Sequence, residues 1–265
     1  MRYDTINRKI KALDARLDES ERRRAKAERE LERVNNVLHS TMHEVRRFCV
    51  EVARDADQLR CDLAGDGGGQ SAVFLCETIH YTSGMIASRL GFTDLELNPA
   101  AVDRQPKHRI GIYKKFDKAR YILGLRAREK KTKINFDGQS RLEFEALPAF
   151  ELVPFVVLDN AIKYSPRDQS IDVSFTEAGQ DLEVVVSSMG PVVEDSELES
   201  IFDNGTRGRH AQGMPVGGEG RGLFLAKFLC DYHDISLKAK SDSANAINIC
   251  GIPHATFKLV LRQAV

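Results

Sequence analysis

A chain of 265 residues, 42% of them hydrophobic, is long enough to bury a core without disulfide or metal staples. Lys plus Arg and Asp plus Glu number 39 each, so the formal charge is zero, which excludes a whole-chain pull towards nucleic acid or a membrane surface and makes any anion site local. Cys49, Cys61, Cys76, Cys230 and Cys250 show no short paired spacing, and Met1 leads into a polar segment with no long apolar run after it. No zinc site, disulfide framework, signal peptide or membrane span is therefore expected, and the reading is a cytoplasmic protein.

Apolar residues recur at alternating steps of four and three from Ile6 through Ile10, Leu13 and Leu17, then Ala27, Leu31, Val34 and Leu38, then Val45, Phe48, Val52 and Leu59. Between them the sequence is dense in Arg, Lys and Glu, which is a heptad seam and predicts a homodimeric coiled coil. At about 100° per residue His43 points away from that seam, so it is expected to face water. The stretch "AGDGGGQ" (64–70) breaks the helix, and 71–90 is again apolar at helical spacing. The result is a helical hairpin, and two copies make a dimeric four-helix bundle. Residues 1–98 are read as this unit, and 99–109, bounded by Pro99 and Pro106, as a linker.

From Ile110 the texture changes, and 110–265 is read as a second domain. It begins with a helix and a strand, followed by a helix over 148–166, a strand pair over 170–190 and a short helix over 195–202. A helix over 220–233 and strands over 235–242 and 255–262 complete it. The fold class is thus α+β, with a mostly antiparallel sheet carrying helices on one face as an α/β sandwich.

Two stretches carry chemistry. "GGEGRGLFLAK" (217–227) opens a helix with Gly217, Gly218, Gly220 and Gly222, where free N–H groups and small residues admit a phosphate. A glycine cluster alone does not separate an anion cradle from a flexible loop. "LDNAIKYSP" (158–166) places Asn160 and Lys163 one turn apart, an oxygen suited to a hard cation beside a positive charge.

In order and spacing, Leu158 to Pro166, "SIF" at 200–202, "TRG" at 206–208 and Gly218 to Lys227 resemble the ATP-binding domain of sensor histidine kinases. That domain has the Bergerat fold of the GHKL ATPases, and the resemblance covers about Ile110 to Leu261. It implies that Asn160 coordinates Mg²⁺, that Lys163 and Tyr164 line ATP, and that Gly218, Gly220, Gly222 and Leu223 form the phosphate box. Residues 203–216 would be a mobile lid whose Arg207 and Arg209 reach the phosphates. The family's adenine-binding aspartate is replaced by Ser188, with Gly190 retained from that box, and Val156 stands where a polar residue is usual.

The resemblance also changes the reading of "HEVRR". His43, followed by Glu44 and Arg46 on a dimeric hairpin ahead of such a domain, looks like the family's phosphoacceptor box, with Glu44 orienting the imidazole or taking its proton. His39 and His80 lack that context and are read as structural. The implied function is a soluble histidine kinase that moves the ATP γ-phosphoryl group to His43 and then to an aspartate on a response-regulator receiver domain, with an upstream sensor protein or the coiled coil as input. Ser188 and Val156 keep open a second reading, a degenerate nucleotide-binding switch or dimeric scaffold.

Overall fold

The computed structural model describes residues 2–63, 69–97, 106–215 and 220–263. Two helices come first, α1 (Arg2–Leu63) and α2 (Gly69–Leu97), packed side by side as a hairpin. α2 covers the face of α1 that carries Val37, Thr41 and Phe48, all buried. Thr41 and Thr93 join their hydroxyls across the pair at 2.7 Å. Leu31 and Leu38 of the seam, with Met42, are exposed on a stripe about 100° round α1 from the covered face. α2 runs to Leu97, since no proline interrupts it before Pro99, and within its last turns the Thr93 hydroxyl donates back to the Arg89 carbonyl.

Next come β1 (His108–Gly111), α3 (Ile112–Ile122), α4 (Gly124–Glu129), β2 (Lys133–Asp137), β3 (Glu143–Ala146) and α5 (Leu152–Tyr164). β4 (Ser170–Ala178), β5 (Asp181–Pro191), α6 (Arg209–Gln212), α7 (Gly222–Tyr232), β6 (Ile235–Ser241), β7 (Ile247–Ile249) and β8 (Ile252–Gln263) follow. The main sheet runs β2-β4-β5-β8-β6 with β7 on β8. Among the described residues only the β2–β4 pair is parallel, and the crossover between those strands carries α5. β1 and β3 form a separate antiparallel pair. Residues 195–202, expected as a short α-helix, form two 3₁₀ turns instead. The Glu194 carboxylate and the Glu197 side chain close a capping box at the start of the first turn, which satisfies its free N–H groups.

α5 and α7 lie on the sheet because their sequences supply apolar stripes. Leu152, Val153, Phe155, Leu158 and Ile162 of α5 are buried, as are Leu225, Ala226, Leu229 and Cys230 of α7. β5 alternates strictly, with Leu182, Val184, Val186, Ser188 and Gly190 on the buried face. The hairpin leans on the helical side of this domain through Phe48 on Phe155 (ring centroids 5.4 Å apart), Phe92 on Phe228 (5.5 Å) and Phe74 on Tyr121 (4.6 Å).

Candidate functional site

A cleft of about 820 Å³ opens between α5, the ends of β5 and β8, the 206–211 segment, the start of α7 and one face of α1. α5 contributes Val156, Asn160, Lys163 and Tyr164. Its last turn is held from outside: the Lys130 ammonium donates to the carbonyls of Ile162 and Lys163 at 2.6 and 2.8 Å, which satisfies orphan acceptors of the helix end. Burial lowers the Lys130 pKa, an effect the Arg167 charge reinforces. The Lys163 ammonium lies 4.9 Å from the centre of the Tyr164 ring.

The floor is the buried face of β5, with Val186, Ser188 and Gly190 pointing into the cleft. Ser188 is fixed in register between Ile171 of β4 and Phe257 of β8. At the front, Gly220 has φ +72°, and a Cβ there would stand 2.4 Å from the Thr206 carbonyl oxygen. A Cβ on Gly222 would meet Val156 Cγ1 at 3.1 Å and the Asn160 side-chain oxygen at 4.0 Å. The glycines thus let the start of α7 close on both α5 and the 205–206 turn, and they bring the Asn160 oxygen to the mouth of that helix. Leu223 follows on the same rim. Gly218 lies outside the described residues.

Arg207 lines the cleft, but its guanidinium donates to the Ala211 carbonyl at 2.5 Å, and Gln212 returns a bond to the Arg207 carbonyl at 2.9 Å. Arg209 is exposed, and its backbone N–H bonds the Glu197 carboxylate at 2.9 Å.

The opposite wall is α1. Ser40, His43, Glu44 and Arg47 line the same cleft as Asn160 and Gly220, so residues far apart in the chain face one another across it. His43 is exposed to solvent there, whereas Glu44 is tied down by the Arg89 guanidinium of α2. Arg89 is fully buried, bonds Thr93 at 3.0 Å and sits 5.4 Å from the Phe92 ring. The sequence reading did not single out Arg89, because a charged residue on a helix registers as solvent-facing in a hydrophobicity pattern.

His233 is a second residue that the reading missed. Its Nε2 accepts the Leu147 N–H at 3.0 Å while its Nδ1–H donates to the Leu229 carbonyl at 2.7 Å. It therefore bolts the lead-in of α5 to the end of α7, and both acceptor and donor roles require the neutral ring. Burial is the main cause that lowers its pKa, with Lys107 adding to it. A histidine with a depressed folded pKa contributes full stability above its unfolded value, near 6.5, and loses it as pH falls from there through the folded value. Thermal unfolding of the domain is expected to show this decline below about pH 6.5 in the wild type, and a flatter profile in His233→Gln.

Residues 150–262 match the family described as histidine kinase-, DNA gyrase B-, and HSP90-like ATPase. The chain is 31% identical over 85 residues to the sensor-like histidine kinase SenX3 of Mycobacterium tuberculosis, an alignment covering 32% of this chain and 21% of that protein. It is 29% identical over 117 residues to the sensor protein KdpD of Escherichia coli, covering 44% of this chain and 12% of KdpD. The chain thus spans about a fifth or less of the length of these relatives. Among solved structures, full-length ShkA in complex with AMPPNP superposes with a TM-score of 0.51 at 11% identity, over 84% of this chain and 45% of that one. No helix among the described residues is long and apolar enough to cross a membrane. Residues 150–262 thus form a domain of this ATPase family, and with a helical hairpin ahead of it the chain is similar to sensor histidine kinases.

Proposed function

We propose that the chain is an ATP-dependent protein histidine kinase that phosphorylates its own His43 and passes the group to an aspartate of a response-regulator receiver domain. The observation that carries this reading is the shared cleft, with an exposed imidazole on one wall and the Asn160 oxygen and two glycines on the other. ATP enters with its adenine over Ser188 and Gly190 and its triphosphate at the start of α7, where free backbone N–H groups face the anion. Lys163, Tyr164 and Leu223 flank it.

Mg²⁺, when bound, neutralises charge on the phosphate oxygens. Asn160 fits that ion because its oxygen, a hard donor, is turned to the cradle, and such ions take few protein ligands beside substrate phosphates. The neutral imidazole of His43 attacks the γ-phosphorus. A nitrogen–phosphorus bond forms, the bond from the γ-phosphorus to its bridging oxygen breaks, and ADP leaves with the electron pair. The carboxylate of Glu44, held by Arg89, orients the ring and takes its surplus proton. Catalysis is then mainly positioning.

Leu31, Leu38 and Met42 on α1 with Leu90 on α2 leave exposed apolar surface at heptad-like steps, which supports a homodimer through a coiled coil. Input reaches it from an upstream sensor protein, in the cytoplasm. The test is incubation with γ-labelled ATP and Mg²⁺. Acid-labile, base-stable label is expected in the wild type and none in His43→Gln, with Mg-ATP affinity preserved in both. Affinity without label in the wild type would favour a nucleotide-binding switch instead, as Val156 and Ser188 in the cleft would suggest.

A further inference from the structure

The glycine-rich stretch that opens α7 contains an arginine, Arg221, between Gly220 and Gly222, at the N-cap of the helix. A cation is unfavourable there, since the helix dipole presents positive charge at that end. The side chain does not stay at the helix mouth. Its guanidinium crosses to the hairpin and donates to the Glu96 carboxylate at 2.7 Å and to the Asn36 backbone carbonyl at 2.8 Å. Only 12% of the Arg221 side chain and 10% of the Glu96 side chain is exposed, so the pair is far less screened than an ordinary surface ion pair.

A second set of contacts holds α1 further along. Arg126 of α4 meets Glu51 at 3.3 Å, Arg47 meets Asp159 of α5 at 3.4 Å, and Phe48 packs on Phe155. His43 falls between the two anchors. At about 1.5 Å rise per residue its Cα lies roughly 10 Å along α1 from Asn36 and about 6 Å from Arg47. An anchor on one side alone would let α1 pivot across the cleft, whereas two fix where the imidazole stands.

We propose that Arg221 and Glu96 are a positioning pair that docks the phosphate cradle on the chain's own hairpin, so that His43 stands over the cleft for phosphorylation within one chain. This rests on the kinase reading above and adds the device that aligns donor and acceptor. It also gives the arginine in the glycine box a reason: the residue that carries the cradle's backbone N–H reports to the helix that carries the acceptor.

The test uses the full chain. The rate of label incorporation from γ-labelled ATP is measured across ATP concentrations. Glu96→Gln is expected to lower the rate at saturating ATP roughly tenfold while KM for ATP changes less than about twofold, since misalignment, not binding, is lost. Glu96 does not line the cleft, which keeps the two effects separate. The exchanged pair E96R with R221E is expected to recover most of that rate, and E96R alone is not, an outcome that mere stabilisation of the hairpin would not produce.

A second measurement does not depend on activity. With Cys49, Cys61, Cys76 and Cys250 changed to Ser, E96C/R221C is treated with a short bismaleimide, and peptide masses are expected to show the two positions joined within one chain. Cross-links only between chains, or none, overturn the pair. Label in the wild type with an unchanged rate in Glu96→Gln also overturns it and leaves the kinase reading standing. A wild type without label ends that reading, and the cross-link then decides the docking by itself.

Discussion

Glu44→Ala is expected to destabilise the hairpin by about 3–5 kcal/mol, an unusually large effect for a half-buried helix residue. The reason is its partner. The Arg89 side chain is 2% exposed, and Glu44 is the carboxylate that compensates its charge. The Thr93 hydroxyl fills a donor site on Arg89 but carries no charge, so removing Glu44 strands a guanidinium between the two helices. The reverse change is milder, because 26% of the Glu44 side chain reaches water and its carboxylate can hydrate when Arg89→Met removes the cation. Exchanging both for apolar residues, Glu44→Leu with Arg89→Met, is expected to regain most of the loss. Thermal unfolding of the four chains followed by circular dichroism checks the order, and equal losses for the two single variants would refute it. The same series separates stability from chemistry at His43: a double variant that is folded, binds Mg-ATP and takes no label places the Glu44 carboxylate in the proton transfer itself.

Which features were legible from sequence follows from how far each contact reaches along the chain. The Asn160 helix and the glycines after it are local patterns, and eleven of the residues chosen on them or near them, from His43 to Leu223, line one cleft. The strand pair of β4 and β5 was equally legible, since burial alternates with period two through Val184, Val186 and Ser188. β3 was not, because Glu143–Ala146 is too short for an alternation to stand out and takes its order from pairing with β1. Arg89, His233 and Arg221 share another cause. Each is polar, and each owes its role to a partner 45 to 125 residues away in sequence. Hydrophobic periodicity records which face is buried but not which polar groups meet there, so such pairs appear only when the fold is assembled.

Gly220→Ala is expected to weaken Mg-ATP binding at least about a hundredfold, the equivalent of roughly 3 kcal/mol. Two costs combine. The residue has φ +72°, which for alanine costs about 1–2 kcal/mol by itself. The added Cβ would also lie 2.4 Å from the Thr206 oxygen and 2.8 Å from the Gly205 carbonyl carbon, both backbone atoms that no rotamer change can move aside. Either the 205–206 turn or the start of α7 must shift, and the cradle is defined by their approach. Gly222→Ala provides the contrast. Its Cβ would meet the methyl end of Val156 at 3.1 Å, a side-chain contact that a shift of a few tenths of an ångström relieves, so a loss of about 1 kcal/mol, or roughly fivefold, is expected. Calorimetric titration with Mg-ATP measures both, and unfolding curves for the two variants show whether the change is confined to the cleft. Comparable losses at the two positions would mean that general crowding at the start of α7 sets affinity. A loss concentrated at Gly220 would mean that contact between the 205–206 turn and the cradle sets it, and would make closure of that turn a step in nucleotide binding.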